Sequence, residues 1–120
     1  MSYDFTMMKP RPGRESEIES LEDLGEHTLL RQDPAALVEA LSSLFPAIAW
    51  RREEDGWFGS LSGDDSWHEF CIEAAADTSW SIRTSHRAGT HNLVPLICDK
   101  LGLLAFDSEA NLLIWPAAQM

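Results

Sequence analysis

Long apolar runs are missing from this chain: none approaches the ~18 residues that a membrane-spanning helix requires. Cysteine is scarce, with only Cys71 and Cys98 in 120 residues. The two are far apart in sequence and have no metal-type partner nearby, so they read as free thiols, not as a bridge or a zinc site. Positive charge is scarcer still in proportion. Nine Lys+Arg stand against twenty Asp+Glu, a formal net charge of −11. A surface of that sign repels phosphates and anionic lipid, which excludes a nucleic-acid or membrane partner. No glycine-rich phosphate loop occurs; Gly56, Gly59 and Gly63 fall among predicted hairpins. His27, His68, His86 and His91 form no close ligand pair on a helix. The pattern therefore predicts no cofactor and no metal. Met1 to Pro10 lacks the charged-then-apolar order of a signal peptide, so the expected compartment is the cytoplasm.

What is present is the composition of one ordinary globular domain, 1–120, with 44% hydrophobic and 24% charged residues. A chain of this size buries roughly two thirds of its unfolded surface, enough for a core without disulfides. Tyr3 to Met8 reads as a first strand, stopped by Lys9-Pro10-Arg11-Pro12-Gly13. Residues 10–27 form an acidic segment; from Arg14 to His27, Glu15, Glu17, Glu19, Glu22, Asp23 and Glu26 face a single Arg14. Ile18, Leu21 and Leu24 recur every third residue there, compatible with a helical turn or two and equally with a mobile surface segment.

A helix is predicted over Pro34 to Leu44. Asp33 can cap its first free amides, and Pro34 suits the first helical position. Leu37, Val38, Leu41, Leu44 and Phe45 make its apolar stripe. A second helix starts near Thr90 to Asn92, turns Val94, Ile97, Cys98 and Leu101 inward, and ends at Gly102. Between the helices the period is two. Four strands form a meander: Ile48 to Glu53, Trp57 to Leu61, Trp67 to Ala74 and Ser79 to Ser85. Their turns fall at Asp55-Gly56, at Gly63 to Ser66 and at Ala76 to Thr78. Leu103 to Phe106 and Leu112 to Trp115 read as a final hairpin. The expected fold is α+β, an antiparallel sheet of about five to seven strands with two helices packed on one face.

Those turns set a register. Trp50 faces Leu61, Leu61 faces His68, and Ile72 faces Ile82. The inner face then collects Ile48, Trp50, Leu61, Phe70, Ile72, Trp80 and Ile82 for the helices to cover. His68 falls on that face as a strand-end core residue. The outer face is polar except for Phe58 and Trp67, which lie beside Asp64, Asp65, Glu69 and Glu73. Aromatic residues with a charged rim are the makeup of an interface centre, and these six are the candidate partner-binding residues. The competing expectation is that the terminal strands or the acidic segment cover the two rings. For catalysis, Cys71 has no histidine beside it on the outer face. Paired carboxylates such as Glu69 and Glu73 are the acid–base alternative, but an open sheet face gives them no burial.

The opening strand, the early acidic region, the tryptophan-rich meander and the run Leu93 to Asp107, with its Leu101-Gly102-Leu103-x-x-Phe106-Asp107 strand entry, together resemble small bacterial immunity-type proteins. Such proteins are encoded beside secreted polymorphic or contact-delivered toxins. The resemblance implies a cytoplasmic, non-enzymatic protein that binds and blocks one toxin domain; the chain itself is expected as a monomer or small homo-oligomer. Families of this kind diverge at their binding surfaces, so the resemblance assigns no residue. The acidic charge makes the expected partner a basic protein. The alternatives are a small enzyme with carboxylate acid–base residues and an interaction domain of another kind.

Overall fold

The computed structural model describes residues 3–63, 66–74, 78–85 and 93–116. Eight strands and two helices alternate as β1 (Tyr3–Pro10), β2 (Leu29–Leu30), α1 (Pro34–Leu44), β3 (Ala49–Glu53), β4 (Gly56–Ser62), β5 (Trp67–Glu73), β6 (Ser79–Thr84), α2 (Val94–Leu101), β7 (Leu104–Asp107) and β8 (Leu112–Ile114). The strands form one antiparallel sheet in the order β3-β4-β5-β6-β1-β7-β8, with β2 paired to the end of β1. The fold is the expected α+β arrangement, with more strands than five to seven because β2 adds a short pairing.

The meander and the final hairpin are joined by β1, which lies between β6 and β7. Its pattern explains the central place. Tyr3, Phe5 and Met7 point to the helix side and are buried, while Asp4 and Thr6 alternate with them. Both helices pack on that side. Leu41 of α1 and Val94, Ile97 and Cys98 of α2 share one cluster with Phe5, Met7, Phe70, Ile72, Trp80 and Ile82. Leu37, Trp50, Leu61 and Leu101 pack at its margin. His68 is buried there as expected, its Nδ1 sharing a 2.7 Å hydrogen bond with the Thr84 hydroxyl.

Three local expectations are corrected. The Asp33 side chain makes no capping bond; the start of α1 is held by the Asp33 carbonyl, which accepts from Leu37 N at 3.0 Å. The β3–β4 turn is Glu54-Asp55, so Trp50 faces Gly59 and not Leu61. The reason lies in Gly56. Its φ is not positive, and it opens β4 where a Cβ would come within 2.9 Å of Glu73 Cα, so glycine serves close strand approach instead of turn geometry. Third, Phe70 and not Ile72 faces Ile82, because the β5–β6 connection is longer than three residues. Residues Ala76 and Asp77 of that expected turn, and the expected start of α2 at Thr90 to Asn92, lie outside the described residues. Both register shifts are by two positions, an even number, so each side chain keeps its predicted face. The β4–β5 register, with Leu61 facing His68, is as expected.

The acidic segment has definite structure. It makes two 3-10 turns, Glu15–Glu17 and Leu21–Asp23. Between them Ile18 takes an extended conformation and turns inward. That break is why the period of three does not give one apolar face: Ile18 is buried and Leu24 half-buried, but Leu21 is exposed. Ile18 packs with Met8, Leu29 and Leu104, flanked by Leu24, Phe106, Leu113 and Trp115, in a second cluster on the sheet side away from the helices. The Asp23 carboxylate accepts from Glu19 N and Ser20 N, and the buried Thr28 hydroxyl donates to Asp23 O at 2.6 Å. Arg11 ties the return, its backbone N–H donating to Thr28 O and its Nε to Glu26 O.

Candidate functional site

The second cluster divides the outer sheet face. Its side chains come from β1, β7, β8 and the segment around Ile18 to Leu29, and none from β3, β4 or β5. Among the described residues, neither the acidic segment nor the second cluster covers the half built by β3 to β6, which carries Phe58 and Trp67. The register arranges this half in rows. One row runs Ser60, Glu69, Arg83, Asp4 across β4, β5, β6 and β1. The next runs Arg51, Phe58, Cys71, Ser81, Thr6. Glu73 stands opposite Gly56 beyond it, and Trp67 stands opposite Ser62 at the other end.

Trp67, Glu69, Cys71 and Glu73 are thus alternate residues of one strand. Phe58 sits beside Cys71, four residues from Trp67, or about 13 Å at the usual rise of a strand. The two aromatics flank Glu69. Trp67 is 36% exposed and belongs to neither hydrophobic cluster. Phe58 is half-buried, in part because the Arg51 guanidinium lies 5.5 Å from its ring centre. Glu69 and Glu73 are exposed. Asp64 and Asp65 lie outside the described residues.

Two arginines interrupt the acidic rim, and both are paired within the face. Arg51 bonds Glu53, and Arg83 Nε donates to Asp4 Oδ1 at 3.0 Å. A depression of about 450 Å³ opens over Arg51, Phe58, Ser60, Glu69 and Cys71. Burial, and next the Glu73 carboxylate, push the Cys71 thiol up from its ordinary range. The thiol is therefore held protonated at neutral pH, the reverse of an activated nucleophile. What this half offers chemically is an exposed indole, a carboxylate between two aromatic rings, and hydroxyls. Such a set suits recognition of a protein surface carrying cations.

On the helix side, a cavity of about 330 Å³ lies between α1 and the end of α2, lined by Leu37, Ala40, Leu101, Lys9, Arg31 and Gln32, among others. Gln32 Oε1 accepts from the Trp80 indole at 3.2 Å, and its enclosed Nε2 has no hydrogen-bond partner among the described residues. Sequence reasoning did not single out Gln32, which carries no motif. Among the described residues no group of three or more His, Cys, Asp or Glu is placed to hold a metal ion, and no helix is long and apolar enough to cross a membrane. The chain matches no protein-family model, no curated protein and no solved structure.

Proposed function

We propose that this is a cytoplasmic immunity-type protein, which binds the surface of a basic toxin domain and blocks it without catalysis. One observation carries the reading. The acidic segment covers only one half of the outer face, leaving Trp67 exposed beside Glu69 on a rigid, paired strand of the other half. An indole on a strand loses little conformational freedom on binding, and tryptophan is among the residue types that dominate interface energetics. The carboxylates around it favour a cationic partner and speed its approach. The net charge of −11 acts in the same direction over a longer range.

The test is binding to the product of the adjacent reading frame, followed by kinetics with single variants. Trp67→Ala is expected to raise the dissociation rate about thirtyfold, the equivalent of about 2 kcal/mol. Neutralising Asp64 and Asp65 together is expected to slow association and flatten its salt dependence. A partner that tolerates substitution of all six of Phe58, Asp64, Asp65, Trp67, Glu69 and Glu73 would remove the binding site from this half. Turnover of a small substrate by the isolated chain would favour the enzyme alternative.

A further inference from the structure

The two edges of the sheet are unlike. Edge strand β3 carries Arg51, Arg52 and Glu53, charges of the kind that keep a free edge from pairing with other chains. Edge strand β8 is Leu112-Leu113-Ile114, without a charge, and no described residue pairs with its outer side. Beside β8 runs a groove of about 630 Å³ between the final hairpin and the acidic segment. Its floor is Phe106, Leu113 and Trp115, all half-buried. Leu21 forms one wall and Leu112 borders the groove where β8 begins; at 54% and 61% exposure they are the two most exposed large hydrophobic side chains among the described residues. Glu19 and Glu22 stand on its rim, and none of the lining residues is basic.

We propose that this groove and the β8 edge dock one extended segment of a basic protein, whose apolar side chains enter beside Leu21 onto Phe106, Leu113 and Trp115 while flanking Lys or Arg meet Glu19 and Glu22. Strand addition at an uncharged edge supplies main-chain hydrogen bonds, and the alternation of side chains along an added strand sends every second one into the groove. Charge complementarity selects the occupant. A second copy of this chain would bring another −11 to the contact and is disfavoured. The inference rests on the reading of the chain as a binder of a basic protein, but not on the open half of the sheet, from which the groove is separate.

The experiment titrates the full-length, ¹⁵N-labelled chain with a synthetic heptapeptide of alternating lysine and leucine, capped at both ends, in low salt. A heptapeptide of alternating lysine and serine is the control. Saturable shifts of the Trp115 indole and of the Leu21 and Leu112 amides are expected, with the serine peptide at least tenfold weaker. Leu112→Ser, and Glu19→Gln with Glu22→Gln, should each weaken the leucine peptide at least fivefold and leave the Tm within a few degrees. Equal binding of both peptides would reduce the groove to bulk charge and overturn the proposal. So would shifts at Trp67 without shifts at Trp115, a dimer of the chain in light scattering that Leu112→Ser dissolves, or binding that emerges only after residues 117–120 are deleted, since the chain's own end would then be the occupant. The partner kinetics of Trp67→Ala test the open half independently, so failure here and failure there are separate results.

Discussion

Trp67 and Trp80 stand on neighbouring strands but on opposite faces of the sheet, and their fates on truncation should differ. Trp80 is buried in the main cluster with its indole N–H on Gln32, so Trp80→Ala should cost about 3–5 kcal/mol of stability in urea unfolding. Trp67→Ala should cost under about 1 kcal/mol of folding, because its ring joins neither cluster. The reverse order would mean that the two faces are exchanged. Two thiols give a second contrast. Cys98 is fully enclosed, and burial, with the neighbouring Asp99 charge, pushes it up to about 12. Its folded pKa lies above its unfolded one, so the protonated thiol favours the folded state. That contribution is complete below the unfolded value near pH 9 and is lost as pH rises from there to about 12. Cys98→Ala should flatten the alkaline fall in stability by up to about 1.4 kcal/mol per pH unit, read from denaturant midpoints at pH 8 to 11. A slope unchanged by the substitution would contradict the enclosure of this thiol.

At the scale of elements, the acidic segment is the part least legible in the sequence. Six carboxylates and a period of three allowed helix or mobility equally, and the deciding contact, Ile18 on Met8 and Leu104, joins residues from three distant parts of the chain. The helices, the meander and the final hairpin were readable because each rests on local signals: Pro34 at a helix start, Gly102 in a left-handed cap at φ 65°, and alternation along β4 to β6. The turns were not, since Gly56 looks like a turn residue yet serves close packing against β5. The faces survived because both register errors were even. Of the candidate site, the place of Phe58, Trp67, Glu69 and Glu73 on the outer face was legible. Its division into covered and open halves was not, because that follows from the central place of β1 and from where the segment after it returns. The segment has its own acid-sensitive fastening. Hydrogen bonds from the Glu19 and Ser20 amides, the first of them the larger effect, lower the Asp23 pKa below its ordinary value. A depressed carboxyl favours the folded form above its unfolded pKa near 3.9, and the effect disappears as pH falls below that. The protection of the Glu19 and Ser20 amides, their exchange rate corrected for the slower intrinsic rate at low pH, should therefore fall on going from pH 5 to pH 3, and Asp23→Asn should abolish the difference. Protection unchanged between the two pH values would mean that the carboxylate does not hold the turn.

For the molecule as a whole, the excess of acid over base sets how it meets a partner more than how tightly it holds one. Association with a basic protein should slow steeply between 20 and 200 mM salt, over which the screening length contracts to less than about 10 Å, while dissociation changes little. A salt-independent association rate would point to an uncharged partner surface. The most direct measurement is the dissociation rate of the product of the adjacent reading frame from the parent protein and from Trp67→Ala, with folding of both checked by urea unfolding. An increase of about thirtyfold in a variant that remains as stable as its parent is the predicted result. A dissociation rate within twofold of the parent's would contradict the assignment of the open half of the sheet as the binding face.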